Sequence, residues 1–388
     1  MKCDVSPPEN SPKSDRRAFL KTAGLGVASL AAARATAAVQ PARKRRLIIN
    51  TLGGLADYND PGEGRMAIFL RPSPRVIADA RASGVTAMNI TIGYTSGPGD
   101  PFATTVDDLA AADELIRTHH DVLVKVWTAE DILRAQRERK VGIIYGFQNC
   151  AMLDDKAERV DLFADLGVRI FQLTYNNTNA LGGGSRAETD GLTPFGGQVI
   201  SAINRRRAIV DLSHGSQALA FDAIRASSQP IAITHTGCRS LKNIPRNASD
   251  ALLRAVAQSG GYVGIFTGGM FLTASGVSTV DDVVNHIDHA IGVCGEDHVG
   301  LGTDNPISGI DHFDAWRAMW DQAAVARAKA GVGAAGEVGG LPLTQDLLGP
   351  GQFDLLSQRM AKRGYSAARI DKVLGLNFLR YAQTIWGA

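Results

Sequence analysis

The chain has 388 residues and a formal net charge of +2, and 45% of its residues are hydrophobic and 21% charged. This is the composition of a globular protein, and it excludes a disordered, collagen-like or disulfide-stapled chain. The length fits either two modest domains or one large α/β domain.

The first 37 residues are predicted to be a twin-arginine signal peptide. Arg16 and Arg17 precede an apolar stretch from Ala23 to Ala33, and Ala35-Thr36-Ala37 offers a small-residue cleavage site. The apolar stretch is shorter than the roughly 20 residues that span a bilayer. Cleavage removes six Lys/Arg and three Asp/Glu and leaves a net charge of −1. We therefore expect a periplasmic or secreted protein with no membrane span after cleavage and no nucleic-acid partner.

From Arg46 onward, short apolar runs alternate with stretches of helical periodicity. The runs are typical of strands buried on both faces, and we predict eight: Leu47–Thr51, Thr86–Ile92, Gly142–Phe147, Val168–Thr174, Ala208–Ser213, Pro230–Thr234, Tyr262–Phe266 and His298–Gly302. Helices are predicted between them over Asp107–Thr118, Lys156–Leu166, Gln217–Ala226, Ser249–Ser259 and Val280–Val293. This order predicts an α/β fold, a (β/α)8 TIM barrel forming a single domain over residues 38–388. The alternative, an open doubly wound sheet, lacks a GxGxxG motif after its first strand.

A long insertion follows the eighth predicted strand, before a closing helix around Ile370–Trp386. It contains an Ala/Gly-rich stretch from Ala330 to Gly340. Long loops in barrels are often functional. The sequence leaves open whether this insertion is a lid or a contact between the subunits of a homo-oligomer.

Polar side chains follow several predicted strands at their carboxyl ends, where the active sites of such barrels lie. His214 and His235 end consecutive strands at matching positions, and neighbouring parallel strands lie about 4.8 Å apart. A lone histidine at a strand end is usually structural. Two histidines at matching positions on consecutive strands, with Gln148 and Asp304 on nearby strands, favour a metal site.

Three further residues are candidates for substrate binding. Arg246 precedes the predicted helix at Ser249, and it is either a surface charge or a guanidinium fork for a bidentate carboxylate; we favour the second interpretation. Tyr175 and Asn176 follow the strand Val168–Thr174. They either orient a substrate carbonyl or serve only the geometry of a turn.

Several motifs together resemble one family. The chain is similar to the membrane (renal-type) dipeptidases, the M19 group of the amidohydrolase superfamily, from about Leu47 to the C-terminus. The resemblance rests on Asp211-Leu212-Ser213-His214, Thr234-His235, Pro245-Arg246-Asn247 and the runs Gly191–Gly196, His298–Asp304 and Gly375–Arg380.

This resemblance implies a (β/α)8 barrel with two zinc ions at its mouth that hydrolyses dipeptides. His214 and His235 match the two histidines that hold the second ion of the family. Arg246 matches the arginine that binds the terminal carboxylate of the substrate, and Asp304 matches the aspartate that shuttles the proton. Tyr175 stands where the family usually has a substrate-contacting histidine.

The chain departs from the family at two metal-binding positions. The His-x-Asp expected after the first strand reads Leu52-Gly53-Gly54, and the bridging glutamate is Gln148. Two divalent ions about 3.5 Å apart repel by about 20 kcal/mol at an effective dielectric of 20, and bridging anions normally offset that repulsion. We therefore predict one zinc ion held by His214, His235 and Gln148, rather than two.

The predicted function is that of an exported hydrolase, a dipeptidase or related amide-bond hydrolase acting on a small carboxylate-bearing substrate. The metal ion activates water, Asp304 is the general acid/base and Arg246 anchors the carboxylate. Two alternatives remain open. One is a catalytically impaired homologue that only binds a ligand, and the other is a metal-independent lyase or isomerase that uses Asp304 and Tyr175.

Overall fold

The computed structural model describes residues 45–59 and 70–387. The predicted signal peptide, residues 1–37, lies outside this part of the chain. The segment Arg45–Ala388 forms one compact unit. No helix among the described residues is long and apolar enough to cross a bilayer.

The strands of the described chain form one parallel sheet that curls into a nearly closed barrel. The neighbours follow the order β1-β2-β4-β5-β6-β7-β8-β9. The first and last strands approach each other where the Asp304 N–H donates to the Leu52 carbonyl at 2.8 Å. The strands are β1 (Ile49–Gly53), β2 (Ala87–Thr91), β3 (Leu123–Lys125), β4 (Val141–Phe147), β5 (Val168–Gln172), β6 (Ile209–Asp211), β7 (Ala232–Thr236), β8 (Tyr262–Ile265) and β9 (Val299–Leu301).

This architecture confirms the predicted (β/α)8 barrel. All eight predicted strands are present, with ends that differ by a few residues. The sequence interpretation missed β3, which has only three residues and pairs with the start of β4 outside the main strand order.

Helices lie between the strands and at the C-terminus. They are α1 (Pro74–Ala82), α2 (Pro101–Thr118), α3 (Ala129–Glu138), α4 (Arg159–Asp165), α5 (Pro194–Arg205), α6 (Gln217–Ala226), α7 (Asp250–Gln258), α8 (Gly269–Leu272), α9 (Val280–Cys294), α10 (Phe313–Lys329), α11 (Gln352–Lys362), α12 (Ala367–Asp371) and α13 (Asn377–Trp386), with a π-helical turn at Lys372–Leu376 between the last two. Serine side chains cap α6 and α7, where Ser216 accepts from the Leu219 N–H and Ser249 accepts from the Leu252 N–H.

The barrel interior is layered. A lower apolar layer packs against α13, and it contains Ile49, Ala87, Ile144, Ile170, Ile209, Ala232 and Tyr262. Because strand side chains repeat every two residues, the next inward layer toward the carboxyl ends is largely polar and includes Thr51, Asn89, Gln172, Asp211 and Thr234. Hydrogen bonds join this layer, since Thr51 Oγ1 donates to the Thr234 carbonyl at 2.7 Å and Asn89 Nδ2 donates to the Thr51 carbonyl at 2.8 Å. The apolar core therefore stops below the mouth of the barrel.

The predicted insertion after the last strand packs against the loops around the mouth. Its Val332 carbonyl accepts from Asn176 Nδ2 at 2.9 Å, and its Gly333 carbonyl accepts from Arg186 Nη1 at 2.7 Å. Farther along, the Leu341 carbonyl accepts from the Met270 N–H at 2.8 Å. The insertion therefore forms part of the wall around the mouth, joined to the loops that follow β5 and β8.

Candidate functional site

Two buried histidines meet at the carboxyl ends of β6 and β7. His214 lies in the turn after β6 and His235 lies within β7, and their Nε2 atoms are 3.0 Å apart. His214 is 5% exposed and His235 is fully buried. The backbone of His214 is left-handed, with a φ of 63°, a conformation that costs a non-glycine residue on the order of 1–3 kcal/mol. That strain is one reason to regard the ring's placement as functional.

Both imidazoles are neutral near pH 7. Burial lowers the pKa of each ring well below its usual value, and the nearby Arg246 guanidinium lowers it further. A neutral imidazole has a free lone pair and is the form that binds metal ions.

The buried carboxylate of Asp211 is hydrogen-bonded to the residues that precede the two histidines. Asp211 accepts hydrogen bonds from the Ser213 and Thr234 N–H groups, at 3.0 and 2.8 Å, and from both of their hydroxyls, at 2.7 and 2.6 Å. Burial raises the pKa of Asp211 above its usual value, and these four donors offset only part of that effect. The Thr234 hydroxyl also lies 3.0 Å from His235 Nδ1. The Thr234 side chain therefore links Asp211 to the imidazole ring of His235.

Arg246 is a buried guanidinium without a carboxylate partner among the described residues. It is 4% exposed, and both of its Nη atoms donate to the His235 carbonyl at 3.2 Å. Its guanidinium carbon lies 5.3 Å from the Phe271 ring centre, and its Nε atom has no hydrogen-bond partner. Burial lowers the pKa of Arg246 to about 10, so the group is charged at neutral pH. A buried cation with no ion-pair partner among the described residues favours an anionic ligand.

Asp304 follows β9 and is accessible at the mouth of the barrel. Its backbone is left-handed, with a φ of 55°. The surrounding protein desolvates the carboxyl and raises its pKa to about 7, against the opposing influence of Arg246 and Arg327. A carboxyl that titrates near neutral pH is suited to accept and return a proton.

Tyr175 lies over His214. Their ring centres are 4.1 Å apart and the planes differ by 20°. Burial raises the pKa of Tyr175, and Arg327 lowers it. Arg327 in turn forms an ion pair with the buried Glu337, with Nε 2.8 Å from Oε2. Sequence reasoning missed both members of this pair, because nothing in the local pattern shows that the insertion approaches the mouth.

Asn176 is fully buried behind His214. Its Oδ1 lies 2.7 Å from His214 Nδ1 and also accepts from the Ser185 hydroxyl at 3.1 Å. Its Nδ2 donates to the insertion. With both ends of the amide occupied, this position favours an orienting role for Asn176 over the predicted contact with substrate.

Gln148 follows β4 and has one free polar atom. Its Nε2 donates to the Thr91 hydroxyl at 2.6 Å, while its Oε1 is buried and has no hydrogen-bond partner. An orphaned buried carbonyl oxygen costs about 1–3 kcal/mol. A cation or a water molecule would relieve that cost.

The spacing of the two histidine nitrogens is compatible with one shared metal ion. Two zinc–nitrogen bonds of about 2.0–2.1 Å at a tetrahedral angle separate their nitrogens by about 3.3 Å, close to the 3.0 Å between the two Nε2 atoms. The described residues contain no group of three or more His, Cys, Asp or Glu side chains that could hold a metal. The end of β1 contributes only Leu52, Gly53 and Gly54, so the described chain offers no ligand set for a second ion.

The parallel barrel brings these polar residues to the carboxyl ends of its strands, which is where TIM-barrel enzymes have their active sites. The family model of the membrane dipeptidases (peptidase family M19) matches residues 77–319, which is more than half of the chain. The chain therefore belongs to this family.

Individual relatives agree with this assignment. An amidohydrolase structure from Pseudomonas aeruginosa is 30% identical, with a TM-score of 0.75, and the match covers 88% of this chain and 97% of that one. An uncharacterised dipeptidase of Schizosaccharomyces pombe is 30% identical over 208 residues, which are 52% of this chain and 50% of that protein. A metallopeptidase from Rhodobacter sphaeroides, liganded with a phosphinate mimic of L-Ala-D-Ala, shares the fold at 19% identity, with a TM-score of 0.71 and coverage of 88% and 100%. The chain is a dipeptidase-like hydrolase of the M19 family.

Proposed function

We propose that this protein is an exported, metal-dependent dipeptidase, or a related amide-bond hydrolase, that acts on a small substrate with a free carboxylate. One observation carries the proposal: the Nε2 atoms of His214 and His235 converge within 3.0 Å. The same mouth holds a buried arginine with no ion-pair partner among the described residues and an aspartate with a raised pKa.

His214, His235 and the Gln148 amide oxygen are the residues that would hold a single zinc ion. When bound there, zinc supplies Lewis acidity and lowers the pKa of an attached water toward neutral. All three protein ligands are uncharged. We therefore expect weaker binding than at a site with a bridging carboxylate.

Asp304 is the proposed general base and acid. In its ionised form it accepts a proton from the attacking water as the oxygen adds to the substrate carbonyl carbon. It then delivers that proton to the amine nitrogen as the carbon–nitrogen bond breaks, which yields a free carboxylate and a free amine. A pKa of about 7 allows the same carboxyl to do both near neutral pH.

Arg246 is proposed to bind the carboxylate of the substrate. Its guanidinium is buried and charged, its Nε is unpaired and it has no acidic partner among the described residues. A carboxylate would satisfy the guanidinium and balance its charge. Tyr175, stacked on His214, is proposed to orient the carbonyl next to that carboxylate. Asn176, whose Oδ1 lies 2.7 Å from His214 Nδ1, is proposed to orient the His214 ring.

The relatives support a dipeptide substrate. The Schizosaccharomyces pombe relative is named a dipeptidase, and the Rhodobacter sphaeroides structure holds a mimic of L-Ala-D-Ala. A dipeptide supplies both features that the mouth of this barrel would recognise, an amide bond and a carboxylate a few atoms away.

Hydrolysis of a dipeptide panel tests the proposal. The mature protein, loaded with Zn²⁺, would be incubated with L,L- and L,D-dipeptides, and free amino acids would be quantified by mass spectrometry. We expect release from at least one dipeptide and none from its C-terminally amidated counterpart, which lacks the carboxylate. Equal cleavage of the amidated compounds would remove the role of Arg246, and no cleavage of any dipeptide would contradict the assigned reaction.

A ligand-binding role without hydrolysis is the second candidate. The observation that favours it is the small number of metal-binding side chains in the mouth. β1 contributes none, and the described residues contain no group of three His, Cys, Asp or Glu side chains that could hold a metal. In that case calorimetry would show dipeptides binding to metal-free protein with unchanged affinity after Zn²⁺ is added, and no amino acids would be released.

A further inference from the structure

The far nitrogens of the two histidines have hydrogen-bond partners that determine where each ring carries its proton. This inference deepens the proposed metal site and rests on it. It concerns Nδ1 of each ring, the nitrogen that points away from the 3.0 Å contact.

The orientation of the Asn176 amide follows from the insertion. A backbone carbonyl can only accept a hydrogen bond, so the end of the amide that faces the Val332 carbonyl at 2.9 Å must be the amino group. The other end, Oδ1, therefore faces His214 Nδ1 at 2.7 Å. An amide oxygen is only an acceptor, and His214 must accordingly carry its proton on Nδ1.

The proton of His235 follows from Asp211. Four donors on one carboxyl group are the pattern of an ionised carboxylate, and the Thr234 hydroxyl is one of them, at 2.6 Å. That hydroxyl has a single proton, which it gives to Asp211. Toward His235 Nδ1, at 3.0 Å, the Thr234 oxygen can therefore only accept. His235 also carries its proton on Nδ1.

Both Nε2 atoms consequently present lone pairs to each other at 3.0 Å. No N–H···N hydrogen bond joins the rings in this arrangement. Two lone pairs at that distance repel unless a cation lies between them.

We propose that Asn176 and Thr234 are positioning residues that hold a proton on Nδ1 of His214 and His235, so that both Nε2 lone pairs are available to one metal ion. Partners of this kind fix the tautomer of metal-binding histidines and raise their affinity. The insertion participates, because its Val332 carbonyl fixes the Asn176 amide. Asp211 participates in the same way, because it takes the hydroxyl proton of Thr234.

Two pairs of matched variants test the proposal. Thr234→Val keeps the shape of the side chain and removes the acceptor, whereas Thr234→Ser keeps the hydroxyl. Asn176→Leu removes the acceptor, whereas Asn176→Asp keeps an oxygen for His214 but cannot donate to Val332. Zn²⁺ affinity would be measured by calorimetry on the full mature chain, with Tm recorded for each variant.

We expect Thr234→Val and Asn176→Leu to weaken Zn²⁺ binding by roughly 10- to 100-fold, and Thr234→Ser to stay within a few-fold of the natural protein. Asn176→Asp is expected to retain more affinity than Asn176→Leu. Equal losses for Thr234→Val and Thr234→Ser, or no loss for Thr234→Val in a folded protein, would overturn the proposal.

Nitrogen-15 NMR of histidine-labelled, metal-free protein supplies a readout that depends on neither metal nor turnover. The natural protein should show Nδ1-protonated tautomers for both rings, and Thr234→Val should shift only that of His235. An Nε2-protonated ring in the natural protein would overturn the positioning role. If both tautomers are as expected but Zn²⁺ does not bind, Asn176 and Thr234 do fix the protons on Nδ1, and it is the proposed metal-dependent function that fails.

Discussion

The Arg246 guanidinium donates two hydrogen bonds to the backbone carbonyl of His235, each at 3.2 Å. The proposed carboxylate anchor and a proposed metal ligand are thus bonded to each other directly. This contact holds the guanidinium beside the strand end that carries His235.

Replacing Arg246 tests the anchor. Arg246→Lys keeps the charge but loses the planar fork, so we expect KM for a dipeptide to rise by roughly 10- to 100-fold, the equivalent of a lost charge-assisted hydrogen bond. We expect a smaller change in kcat. Arg254→Met, at an exposed position on α7, is the matched control and should leave both constants unchanged. An unaltered KM in a folded Arg246→Lys protein would contradict the role.

Activity is expected to depend on pH through Asp304. Desolvation by the surrounding protein raises its pKa to about 7, and a protonated carboxyl cannot accept the proton of water. The value of kcat/KM should therefore rise as pH increases through about 7, and the rise should move to lower pH once a cation is bound nearby. Asp304→Asn should lower kcat by roughly 100-fold or more and abolish this rise of kcat/KM with pH. If the pH profile of Asp304→Asn is unchanged, the rise of kcat/KM with pH belongs to another group.

The stability of the metal-free protein is expected to fall on acidification. Burial lowers the pKa of His214 and His235, whereas in the unfolded chain both titrate near 6.5. The unfolded state therefore binds more protons below that pH, so the stability present above about 6.5 is lost as pH falls. Urea unfolding at several pH values in the presence of a chelator measures this loss. The variant His214→Gln/His235→Gln should show a shallower dependence, and an equally steep one would point to other groups.

Export is expected to require the arginine pair of the N-terminal segment. Substitution of both Arg16 and Arg17 by lysine should retain the full-length protein in the cytoplasm, because twin-arginine export reads this pair. Cell fractionation with immunoblotting measures the distribution. Arg45→Lys, outside the predicted signal, serves as the control. Normal export of the Arg16→Lys/Arg17→Lys protein would contradict the predicted route.

Sequence periodicity was sufficient to predict the barrel, because its strands are continuous apolar runs that end in polar residues. It also predicted that His214 and His235 would be neighbours, since both end consecutive strands at matching positions. It could not predict β3, because three residues carry too little pattern. The role of Asn176 and the Arg327–Glu337 ion pair depend on where a long insertion packs, and that is decided by tertiary contacts rather than by local sequence.

The metal content of the purified mature protein tests the central claim most directly. After dialysis against trace Zn²⁺, mass spectrometry of the metal should find one equivalent per chain in the natural protein and in the control His120→Ala, which alters an exposed histidine. His214→Ala and His235→Ala should each retain almost none. Two equivalents in the natural protein, or one equivalent that survives either substitution, would contradict a single ion held by these two imidazoles.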